Sequence, residues 1–190
     1  MKVPTAATAT LTCHPAMDCS IRAIEVNAGW PEPNVLKLRY VVTGDSSRLR
    51  IPEISLPRRT DGLWQHTCFE AFIRAGGDAA YYEFNFSPSG EWAAYWFRGY
   101  RDGRPIEDVG LSPEIVVRRQ ADKIELDAVV RLDRLSALRP GSLLRIGLSA
   151  VIEDNDGKLS HWALKHPADK PDFHHSDSFA LEFALPDWSA

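Results

Sequence analysis

Apolar and polar residues alternate with a period of two along much of this 190-residue chain. Val35–Val42 (VLKLRYVV) sets Leu36, Leu38 and Tyr40 against Lys37 and Arg39. Side chains two apart on a strand share a face, so this run predicts a half-buried strand. Ala7–Cys13, Ile21–Val26, Glu114–Gln120, Lys123–Val130, Leu159–Leu164 and Phe179–Phe183 are further β-rich runs, and Leu143–Glu153 is the strongest buried one. Turn signals separate them: Trp30-Pro31-Glu32-Pro33, Thr43-Gly44-Asp45, Gly76-Gly77-Asp78, Ser87-Pro88-Ser89-Gly90 and Asn155-Asp156-Gly157. Residues 46–63 and 99–112 read as loops. Apolar residues at 132, 135 and 138 predict one or two helical turns, ended by Pro140-Gly141. Helical periodicity is nowhere sustained and no β-α-β alternation is visible. Roughly ten short strands with close turns predict an all-β antiparallel sandwich, immunoglobulin-like or jelly-roll-like, with one short helix. The signals run the full length, which predicts one domain over 1–190.

The densest stretch is 61–101. Phe69, Ala71 and Ile73 alternate with Cys68, Glu70 and Phe72; Tyr82, Phe84 and Phe86 alternate with Glu83, Asn85 and Ser87. Glu83 and Asn85 therefore point away from the aromatic trio. A carboxylate beside an amide on an aromatic sheet can hold a polyhydroxylated ligand, and it can also tie a turn. No nucleophile-elbow, phosphate-loop or dinucleotide motif is present, so the functional expectation concerns binding rather than a reaction.

The formal charge of −4 leaves no basic footprint for phosphates, which argues against a nucleic-acid partner. No apolar run is long enough for a membrane-spanning helix. Cys13, Cys19 and Cys68 are odd in number and lack a C-x-x-C spacing, so three reduced thiols and a cytoplasmic chain are expected. No cofactor is expected.

The blocks LWQHTCFEAFI and YYEFNFSPSGEWAAYWF resemble the DOMON-like superfamily, in its branch similar to type 9 carbohydrate-binding modules. Trp64, Phe69-Glu70, Tyr82–Phe86 and Gly90 carry the likeness, and WALKHPADKPDFHHSDSFALEF resembles the closing part of the same small bacterial family. The resemblance implies a β-sandwich that binds sugars or haem in a pocket.

The candidate ligand-binding residues are Trp64, His66, Glu70, Glu83, Asn85, Trp162, Lys165 and His166. Trp64 and Trp162 can stack on a sugar face or fill a core, as can Trp92 and Trp96, whose shared face with Ala94 favours the core. Glu70, Glu83 and Asn85 can bind hydroxyls, or pair with Lys37, Arg98 or Arg101. Glu70 and Glu83 also raise glycoside hydrolysis as an alternative. His66 can ligate haem, and His161, His166, His174 and His175 a metal, but their spacings argue against a dedicated metal site. The loop Lys165–His174, stiffened by prolines, is either a ligand-binding segment or a rigid cover over one end of the sandwich with Phe173 tucked into the core.

Overall fold

The computed structural model describes residues 6–186. Twelve strands follow in chain order: β1 (Ala6–Cys13), β2 (Ala23–Glu32), β3 (Val35–Thr43), β4 (Cys68–Ala75), β5 (Tyr81–Phe86), β6 (Trp92–Gly99), β7 (Asp102–Pro105), β8 (Glu114–Arg119), β9 (Lys123–Arg131), β10 (Leu143–Glu153), β11 (Leu159–Ala163) and β12 (Leu181–Ala184). All strand pairs are antiparallel. The first sheet has the order β1-β2-β3-β9-β8; the second runs β7-β6-β5-β4-β10-β11, with β12 beside the start of β10. β1 joins them: Ala6–Leu11 pairs with β2, and Thr12–Cys13 pairs with β11.

The predicted alternation sets which faces meet. Leu36, Leu38, Tyr40, Leu126 and Ala128 of the first sheet pack against Phe69, Phe84, Phe86, Leu148 and Ala150 of the second. Trp92 joins this core and Trp96 packs on it, as their shared face predicts. Tyr40 donates its hydroxyl to the Glu70 carbonyl at 2.7 Å, so its one polar atom is satisfied inside the core.

Several expectations are corrected. The segment Leu132–Leu138 forms no helix but two successive turns, Leu135 N–H bonding the Leu132 carbonyl and Leu138 N–H that of Leu135. The helical pieces are three-residue 3₁₀ turns elsewhere, at Ser46–Arg48, Leu63–Gln65, Val109–Leu111 and Ser176–Ser178. β2 continues through Trp30-Pro31, because the register slips between Gly29 and Glu32 and Pro31 needs no ladder donor at that irregularity. The loop expected at 99–112 contains β7, an exposed edge strand with no apolar alternation to announce it.

Cys13 and Cys19 form a disulfide, correcting the expectation of three free thiols; only Cys68 is free among the described residues, and it is buried. The chain turns back after β1, with Met17 N–H bonding the His14 carbonyl, and this brings the two Cα atoms to 6.7 Å. That separation lies within the span a disulfide can bridge. The bond removes the thiol argument for a cytoplasmic chain. No described helix is long and apolar enough to cross a membrane.

Candidate functional site

The outer face of the second sheet is not a solvated polar face. All six residues of β5 are buried, on both sides of the sheet. Phe72, Tyr81, Val151, Ala163, Phe173 and Phe179 form a second apolar cluster there, and Leu63, Cys68 and Ala93 a third. The loop Lys165–Ser178 covers part of this face. Gly147 permits its approach, since a Cβ at that position would meet the Ser178 carbonyl oxygen at 3.1 Å.

Between this loop and the sheet lies a pocket of about 340 Å³. Trp64, Glu70, Glu83, Tyr95, Phe97, Arg101, Val151, His161, Pro171, Asp172, Phe173 and His174 line it. Strand register explains the sheet contribution. Glu70 faces Asn85 across β4–β5, and Glu83 lies between Phe72 and Tyr95. Small residues flank Glu70, with Ser149 on one side and Ala93 beyond Asn85, so the sheet is hollow there. Trp64 sits on the 3₁₀ turn before β4, 42 % exposed, with its ring edge-on to Tyr95 at 6.0 Å.

Glu70 and Glu83 are buried at the floor. One Glu70 oxygen, Oε2, accepts from the Ser149 hydroxyl at 3.2 Å. Burial, then the neighbouring Glu83, raises its pKa well above the usual carboxylate range. Glu83 Oε1 accepts from Asn85 Nδ2 at 2.7 Å. Burial pushes Glu83 up to about 7, with the Asn85 bond and then Arg101 opposing the rise. Asn85 itself has no exposed surface and does not line the pocket; it holds Glu83 in place.

The wall opposite is a chain of polar contacts. Arg101 is the one non-glycine with a left-handed backbone among the described residues, at φ 55°. Its guanidinium donates to Asp172 at 2.8 Å, and its N–H donates to the Tyr81 hydroxyl at 3.3 Å. These bonds hold a conformation that an L-residue otherwise disfavours. Tyr81, whose pKa burial raises to about 12, keeps its proton and passes it toward His174 Nδ1 at 2.8 Å. That order assigns the His174 proton to Nε2, which lies 3.7 Å from Glu83 Oε2. Burial, then Arg101, lowers His174 to about 4, so it is neutral. Burial likewise lowers His161.

Of the candidate ligand-binding residues, Trp64, Glu70 and Glu83 meet in this pocket, and His161 and His174, read as possible metal ligands, line it too. His66 does not: its Nδ1 lies 2.7 Å from Glu153 Oε2, away from the floor. Trp162 is on the core side and donates its N–H to the Ser160 hydroxyl at 3.1 Å. Lys165 pairs with Asp177 at 3.1 Å. His166 Nε2 bonds the Thr12 carbonyl at 2.9 Å. Arg98 pairs with Asp102, and Arg101 with Asp172, rather than with the glutamates. Among the described residues no three His, Cys, Asp or Glu side chains converge to hold a metal ion. Sequence reasoning missed Tyr95 and Phe97 as pocket residues, although placing Trp92, Ala94 and Trp96 inward implies that they face outward. The loop carrying Asp172 and His174 reads from sequence as either a ligand-binding segment or a cover; that it brings both residues to this pocket is encoded by no local pattern.

No family model matches the sequence, and no curated protein matches it. Solved structures do share the fold. One is a protein of Bacteroides uniformis described as carbohydrate-binding, with a TM-score of 0.72 at 14% identity over 94% of this chain and 85% of that one. Another is a family 9 carbohydrate-binding module from Caldicellulosiruptor kristjanssonii in complex with cellotriose, with a TM-score of 0.60 at 13% identity over 97% and 84%. A glucose complex of such a module gives a TM-score of 0.56 at 13% identity over 92% and 81%. The chain thus has the β-sandwich fold of these proteins.

Proposed function

We propose that this protein binds a small carbohydrate, without transforming it, in the pocket above Glu70 and Glu83. One observation carries the reading: a pocket walled by Trp64, Tyr95, Phe97 and Phe173 has hydrogen-bonding groups concentrated on its floor and one wall. Aromatic faces pack against the C–H groups of a pyranose, while carboxyl, guanidinium and imidazole groups meet its hydroxyls. At about 340 Å³ the pocket is at the small end of ligand sites, which run from roughly 300 to 1,000 Å³, so it suits one or two rings rather than a long chain. The shared fold with sugar-complexed modules supports the reading, as does the motif resemblance to the DOMON-like superfamily.

A few net hydrogen bonds of about 1 kcal/mol each, with one stacked ring, predict micromolar to millimolar affinity. Calorimetry against mono- and disaccharides tests this. Trp64→Ala is expected to weaken binding by at least about tenfold, or ~1.4 kcal/mol, and to leave the fold intact because the indole is half exposed. The ligand should be recovered uncleaved. Absence of any saturable binding at millimolar sugar would overturn the reading.

A further inference from the structure

The pocket is rich in carboxyls for the cations it holds. Glu70, Glu83 and Asp172 line it, and Arg101 is its one guanidinium. That guanidinium is already engaged, bonding Asp172 at 2.8 Å, with the Tyr100 hydroxyl on the other Asp172 oxygen at 2.6 Å. Neither glutamate has a cationic side chain within hydrogen-bonding distance. Glu70, 3 % exposed, has one oxygen on Ser149, and Oε1 bonds no described residue. Glu83 takes an amide bond from Asn85, and its second oxygen faces only the His174 Nε2–H, at 3.7 Å. Among the other groups around the pair, Cys68 is a buried thiol held neutral, Tyr81 and Tyr95 are raised phenols and His161 is lowered; Arg101, bonded to Asp172, only partly opposes the rise of Glu83.

A buried carboxyl without a cation keeps its proton instead. The raised pKa values of both glutamates agree with this. A neutral hydroxyl from a ligand can bond one such group but cannot charge it. An ammonium brings three donors and the missing charge together. Trp64 beside the floor adds a ring face that also favours a cation, whereas Tyr95 already has Arg59 over its ring at 5.7 Å.

We infer that the ligand is an amino sugar, its ring against Trp64 and Tyr95 and its ammonium seated between Glu70 and Glu83. This rests on the carbohydrate reading and narrows it. Seating the ammonium displaces the proton that the pair holds when empty, and that proton passes to solvent buffer.

Calorimetry with glucosamine, glucose and N-acetylglucosamine tests it at a pH of about 6.5, below the range of an α-amino group. Glucosamine is expected to bind at least about tenfold more tightly than both neutral sugars. Its binding heat should change with the ionisation enthalpy of the buffer, as proton release requires. Glu83→Gln and Glu70→Gln should bring the glucosamine-to-glucose affinity ratio close to one. The wild-type comparison stands whether or not either variant folds. Equal binding of glucose and glucosamine overturns the inference and leaves the carbohydrate reading standing. Ethanolamine binding as tightly as glucosamine would show an ammonium site without a sugar site and overturn both. No binding by any of the probes overturns the carbohydrate reading itself.

Discussion

Asp127 on β9 and Glu83 on β5 make an instructive pair. Each is mid-strand on the outer face of its own sheet, and each is 5 % exposed. Their chemistry is opposite. Asp127 faces Arg39 across β3–β9 and accepts from it at 2.6 and 3.0 Å, with Arg118 adding a third bond at 2.9 Å. The Arg39 hydrogen bond leads in holding its carboxyl down to about 2. Glu83 faces Phe72 on one side and Tyr95 on the other, and its carboxyl rises to about 7. The residues opposite decide whether burial is offset: Arg39 and Arg118 outweigh it at Asp127, while Phe72 and Tyr95 leave it to raise Glu83. The first arrangement closes a sheet face with ion pairs. The second leaves hydrogen-bonding capacity free for a ligand.

Three measurements would sharpen or break this contrast. The largest effect is expected from Glu83→Gln, which mimics the protonated acid. An acid whose folded pKa exceeds its unfolded value destabilises the fold as pH rises between the two, here from about 4.3 to about 7. Wild type and variant should coincide near the lower end. Above pH 7 the variant should be more stable, by on the order of 3 to 4 kcal/mol at about 1.4 per unit shifted. Parallel stability curves across that window would put Glu83 in an ordinary solvated setting.

A smaller effect, about 1.5 kcal/mol in urea unfolding, is expected from Arg39→Ala near neutral pH. The figure is reduced because the arginine is 40 % exposed. Since Asp127 is depressed, that stabilisation is present above its unfolded pKa of about 3.9 and is lost as pH falls through about 2. A cost that persists unchanged in acid would mean that packing, not charge, carries it. Ser149→Ala should be smallest, below about 1 kcal/mol, because a carboxyl already protonated loses one modest bond. Its signature is a further rise of the Glu70 titration in carbon-detected NMR; a fall would contradict the floor geometry.

The fold was legible where side chains repeat locally. The parity of VLKLRYVV and YYEFNF placed Tyr40, Phe84 and Phe86 inside and Glu83 outside, because alternation is a property of one strand alone. Trp92 and Trp96 followed the same rule. β7 was invisible, having no buried side chain to set a pattern, and Leu132–Leu138 kept a helical spacing while forming separate turns. The disulfide escaped because a count of cysteines says nothing about the turn that brings Cys13 to Cys19. The site divides in the same way. Sequence by itself determined that Glu70 and Glu83 share a face and that Trp64 precedes them. Only tertiary structure decided that Phe72 and Tyr95, not arginines, flank Glu83, and that the Asp172–His174 loop covers the face. Register and loop docking depend on contacts between residues far apart in the chain, and those contacts turn a polar strand position into either an ion pair or a pocket floor.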